Sequence, residues 1–149
     1  ITFDKTSVRA SQTDFDLNCA ITLNCPVDVH DLTMRWGTAQ YLEGASWINI
    51  HGTYTPVSDY LWHFNLMDGS TIDLRGRTSP LPTGSQLTSE DGARVKVKLD
   101  LANIKKNEPL ITWDAKPNAK FTAVASMPCG LIARDDGLYA TTGLTLFLR

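Results

Sequence analysis

The chain has 149 residues, 42% of them apolar and 20% charged, with a net charge of −2. That is the composition of one globular β or α domain rather than of a disordered chain, and the domain spans residues 1–149. The slight negative charge argues against a nucleic-acid binder working by phosphate neutralisation, and with no apolar run of about 18 residues there is no membrane-spanning helix.

In chain order, the first pattern is Ile1-Thr-Phe-Asp-Lys-Thr-Ser-Val8, a short strand-like opening. A start at Ile1 rather than Met points to a processed product or an excised domain. Leu32, Met34 and Trp36 then alternate with Thr33 and Arg35. Trp62, Phe64 and Leu66 alternate with His63 and Asn65, and Ile72 and Leu74 with Asp73 and Arg75. Asp68-Gly69 lies between these last two runs and predicts a hairpin. Residues 79–92 (SPLPTGSQLTSEDG) read as a surface loop rich in Pro and Gly.

Val95, Val97, Leu99 and Leu101 alternate with Arg94, Lys96, Lys98 and Asp100, predicting a half-buried strand with a charged outer face. Residues 99–106 allow one helical turn capped by Asp100. Phe121 to Ala125 reads as another strand, and Asp136-Gly137 as a turn. The last run places Leu144, Leu146 and Leu148 on one face and Thr145, Phe147 and Arg149 on the other. A terminal strand this apolar must be buried in a sheet or completed by a partner. No period of 3.6 is sustained and no internal repeat stands out. The pattern therefore predicts an all-β sandwich or barrel, with unequal strands and irregular loops favouring the sandwich.

Chemistry is sparse. Asp28 and His30 share a strand face, but two ligands do not make a metal site, and no metal or cofactor is expected. No GxSxG elbow is present, and no glutamate sits in apolar surroundings, so no enzyme is expected. Cys19, Cys25 and Cys129 allow one disulfide or three reduced thiols. Of the four tryptophans, Trp36 and Trp62 share faces with apolar neighbours and read as core. Trp47 and Trp113 lie beside polar residues and are candidate glycan contacts.

The end of the chain resembles the C-terminal strand of chaperone–usher fimbrial subunits, carried by Gly137, Tyr139 and the run from Gly143 to Leu148. A wider pattern resembles the pilin domain of class 5 (CFA/I-like) fimbrial tip subunits. Cys19 precedes Leu32-Thr-Met-Arg-Trp36, and Val124-Ala-Ser-Met-Pro-Cys129 leads to the glycine-led last strand. The resemblance implies an Ig-like antiparallel β-sandwich that lacks one strand. A periplasmic chaperone, and then a neighbouring subunit, would fill the gap by β-augmentation. It further implies that Ile1, Phe3 and Val8 are donor or first-strand positions and that Leu144, Leu146 and Leu148 line the assembly strand. Cys19 would pair with Cys129, leaving Cys25 free. The protein would then be a fimbrial structural module, extracellular or on the cell surface, with a cell-surface glycan or receptor as a further partner. Two other classes fit the pattern: a viral capsid or protruding-domain sandwich, found on a virion, and a carbohydrate-binding module.

Overall fold

A strand that alternates apolar and polar residues needs a neighbour on each edge and a core on one face. The computed structural model, which describes residues 2–3, 8–15, 21–23, 27–34, 40–41, 47–57 and 63–141, meets this need with stacked parallel rungs. The first two rungs are β1 (Thr2–Phe3) with β2 (Val8–Phe15), and β3 (Ile21–Leu23) with β4 (Val27–Met34). The third holds β5 (Gln40–Tyr41), β6 (Ile48–Ile50) and β7 (Thr53–Pro56). The fourth holds β8 (Phe64–Leu66) and β9 (Thr71–Asp73). The fifth holds β10 (Leu81–Gly84), β11 (Leu87–Ser89) and β12 (Ala93–Lys98). The sixth holds β13 (Pro109–Trp113) and β14 (Ala119–Val124). A closing hairpin follows, β15 (Gly130–Arg134) and β16 (Gly137–Thr141).

The main sheet follows the path β11-β8-β6-β4-β7-β9-β12-β14, with β2 also on β4, and every pair in it is parallel. The long β4 pairs with β6 through its first half and with β7 through its second. From there the sheet divides into two arms, β6-β8-β11 and β7-β9-β12-β14. Corners of only two to four residues, at 51–52, 67–70 and 90–92, join the arms rung by rung. The sheet therefore bends back on itself and is nearly closed. A third face carries the separate sheet β10-β13-β16-β15, and β1-β3-β5 forms a further three-stranded sheet. Each rung adds one layer to the stack, which is the plan of a β-solenoid.

In-register stacking aligns like with like. Val27, Ile48, Phe64 and Leu87 form one inward column, and Val29, Ile50 and Leu66 the next. Across the corner, Leu32, Tyr54, Ile72 and Val97 form another, and on the third face Leu81, Ile111 and Leu138 align. All of these residues are buried in one core. Among the described residues only β13–β16 and β15–β16 are antiparallel; through β16 the hairpin covers the last rung on the third face.

The expected Ig-like antiparallel β-sandwich is thus overturned: the structure is all-β, but its main sheet is parallel. Alternation of period two is common to both arrangements and does not reveal the direction of a neighbour. The Asp68-Gly69 hairpin is corrected with it. β8 and β9 do not pair with each other, and Asp68-Gly69 instead turns a corner between two arms, with Gly69 at φ +82°. The loop expected at 79–92 contains β10 and β11, with Leu81, Thr83 and Leu87 buried. Several expectations match the structure. Val95, Val97 and Leu99 point inward, and a single 3-10 turn at Leu101–Asn103 is capped by the Asp100 carboxylate, which accepts from the Ala102 amide at 3.1 Å.

Candidate functional site

The outward side chains of β4, β6 and β8 form the most organised polar surface of the described residues. Register puts Asp28, Asn49 and Asn65 side by side, with Thr88 of β11 next. Asn65 Nδ2 donates to Asn49 Oδ1 at 3.1 Å, and Asn49 Nδ2 donates to Asp28 Oδ1 at 3.1 Å. His51 Nε2 lies 3.0 Å from the same carboxylate oxygen. Each bond aims the next side chain, so the row holds its hydrogen-bonding groups in a fixed order along the face. Met67 Sδ sits 3.5 Å from Asn65 Nδ2 at one end of that residue.

Two residues before this row, Trp47 and His63 occupy equivalent positions on their rungs. Their rings stack with centroids 4.8 Å apart and planes 29° apart. The indole is half-buried: His63 covers one of its faces and the rest lies beside the amide row. Two residues after the row, the chain turns its corner. The Asp31 carboxylate accepts from the Thr53 amide at 2.6 Å, and that amide, more than the neighbouring His30, holds its carboxyl below the usual carboxylate range. Gly52 donates its amide to His30 O at 2.6 Å. A Cβ on Gly52 would come within 2.5 Å of both His30 and Asp31, so this close approach requires glycine.

The residues singled out from the sequence fall in different places. Trp47 lies on the polar face described above. Trp113 is only 4% exposed; it stacks on Phe121 at 5.8 Å and donates its indole N–H to Arg134 O at 3.0 Å. It belongs to the core and has no surface for a sugar. Asp28 and His30 share the outward face as expected, but each carries its own partner: His51 at 3.0 Å from Asp28, and Asp31 at 3.1 Å from His30. Cys129 is a free, half-buried thiol whose pKa burial pushes up. Cys19 and Cys25 lie outside the described residues, as do Ile1, Trp36, Trp62, Leu144, Leu146 and Leu148. Phe3 and Val8 lie in β1 and β2, paired in parallel with Leu23 and Val27.

Asn49 and Asn65, the centre of the site, were missed in the sequence reading. The signal for them was a repeat. Val27-Asp-Val-His-Asp, Ile48-Asn-Ile-His-Gly and Phe64-Asn-Leu-Met-Asp each carry a carboxylate or amide between two apolar residues, and they stack on one another in register as β4, β6 and β8. No protein-family model, curated protein or solved structure matches the chain.

Proposed function

We propose that this chain is a non-enzymatic β-solenoid module that recognises a neutral glycan on the outward face of β4, β6 and β8. The observation that carries the reading is the row Asp28–Asn49–Asn65, a line of side-chain amides and one carboxylate at strand spacing, with the Trp47–His63 pair beside it. Amides offer both donors and acceptors to sugar hydroxyls, and an aromatic edge covers the apolar C–H surface of a ring. The row has no cationic cluster for an anionic ligand and no deep cavity for a small molecule. The fimbrial mechanism needs an antiparallel sandwich with one strand missing, and a capsid jelly roll is also antiparallel. A parallel stack supplies neither scaffold, so the carbohydrate-binding alternative gains weight.

The test is binding of the purified protein to arrayed neutral polysaccharides and to charged ones. Neutral glycans should bind, Asn65→Ala and Trp47→Ala should each weaken binding at least tenfold, and Lys96→Glu on the other arm should leave it unchanged. Binding that survives both face variants, or that Lys96→Glu abolishes, would overturn the reading.

A further inference from the structure

The two arms of the main sheet differ in outward chemistry. On the second arm, register places Thr71, Lys96 and Thr122 in one row, Asp73, Lys98 and Val124 in the next, and Arg94 beside Lys120. The intervening Val95 and Val97 are fully buried, so the β12 side chains stand on a rigid ladder. Both arginines of this face are tied to acids. Arg94 grips Asp68, and Arg75 donates to Asp73 through Nε at 2.9 Å and Nη2 at 2.6 Å. Lys96, Lys98 and Lys120 form no salt bridge among the described residues. The acids at the ends of β12 are engaged elsewhere: Glu90 accepts from the Asp68 amide, Asp91 from Asn118, and Asp100 from the Ala102 amide. The face therefore carries excess positive charge on a chain whose net charge is −2. Beside Lys98 the surface dips into an open depression of about 390 Å³, lined by Arg75, Lys98, Asp100, Val124 and Ala125 among others. Val124 is 44% exposed there.

We infer that this face binds a polyanionic glycan, a polysaccharide bearing carboxylates or sulfates, with one acidic sugar in the depression and the chain continuing over Lys96 toward Lys120. Within the depression, Lys98 Nζ and Arg75 Nη1, which Asp73 does not engage, meet the acid group, and Val124 and Ala125 meet the C–H side of the ring. Lys98 and Lys96 lie about 7 Å apart along β12, so charge recurs along a surface without walls, which suits an extended chain better than a small anion. Lysine is a point charge with three rotatable donors and accepts either kind of acid group. Thr122 and Ser126 add hydroxyls beside the lysines for the uncharged part of a sugar. A nucleic-acid strand fits less well. Such strands stack their bases on aromatic side chains, and no outward residue of β9, β12 or β14 is aromatic.

The test is the affinity of the full chain for dextran sulfate and for carboxymethyl-dextran, with uncharged dextran as reference. At low salt at least one polyanion should bind at least tenfold more tightly than dextran, and which of the two does so identifies the acid group. Replacing Lys96, Lys98 and Lys120 together by Gln should weaken that binding at least tenfold. Replacing the exposed Lys105, Lys106 and Lys116 by Gln removes the same charge away from this face and should change it less than twofold. An unchanged denaturant midpoint in both variants shows that the fold is kept. Equal losses in the two variants, no preference over dextran, or tighter binding to single-stranded DNA than to either polyanion would overturn the proposal. Asn65→Ala should leave polyanion binding unchanged, so this face and the amide row succeed or fail separately.

Discussion

Among the described residues Tyr54 is the largest fully buried side chain, packed against Phe64 with ring centroids 4.5 Å apart. Its hydroxyl has no hydrogen-bond partner among them, and burial pushes its pKa far above the usual phenol value. A buried, unpaired hydroxyl costs about 1–3 kcal/mol of desolvation that nothing repays. Tyr54→Phe keeps the ring in the column between Leu32 and Ile72 and removes that cost. It should raise stability by about 1 kcal/mol, read as a higher denaturant midpoint at unchanged slope. A lower midpoint would show that the hydroxyl is satisfied in solution. The residue scale is also where the sequence was most legible. Which of Val95, Lys96, Val97 and Lys98 face inward follows from alternation alone, because every strand in any sheet obeys it. Trp113 was misjudged for the converse reason: its neighbour Asp114 is polar, but an adjacent residue in a strand points to the opposite face.

At the scale of elements, carboxylates hold the corners between the two arms. Asp31 accepts from the Thr53 amide, and Asp68 accepts from the Arg94 amide at 2.8 Å while its carboxylate grips the Arg94 guanidinium. Both carboxyls titrate below their usual range, Asp31 chiefly through the Thr53 amide and Asp68 chiefly through the Arg94 side chain. A folded pKa below the unfolded one stabilises the fold above the unfolded value, and that stability is lost as pH falls through the folded value. The denaturant midpoint should therefore be flat from pH 7 to about pH 5 and fall steadily below about pH 4, near the reference carboxylate range. Asp31→Asn should lower the midpoint at pH 7 and flatten the fall below pH 4; an unchanged pH profile in this variant would remove Asp31 from the account. The corners also explain why Asp68-Gly69 misled. The pair does turn the chain, as its chemistry demands, but a turn does not specify whether the flanking strands pair with each other or with rungs above and below.

On the scale of the whole molecule, the strand content was legible and the connectivity was not. Each rung buries its inward face only when another rung lies on it, so the parallel ladder is a property of residues about 16–30 apart, which no local pattern records. The repeat that did record it is three short, degenerate segments at unequal spacing. Unequal spacing has a mechanical meaning. Eighteen residues separate Tyr54 from its rung partner Ile72, twenty-five separate Ile72 from Val97, and twenty-six separate Val97 from Ala123. Pulled from its two ends, a stack held by neighbour contacts gives way one layer at a time rather than all at once. At about 3.5 Å per residue, each released layer lengthens the chain by about 60–90 Å. A single-molecule extension trace should therefore show a staircase of uneven steps, the shorter ones from the middle of the stack, whereas one large step would mark a single cooperative block. Such a staircase would make the molecule a shock absorber, dissipating tension in instalments while the remaining layers stay in place.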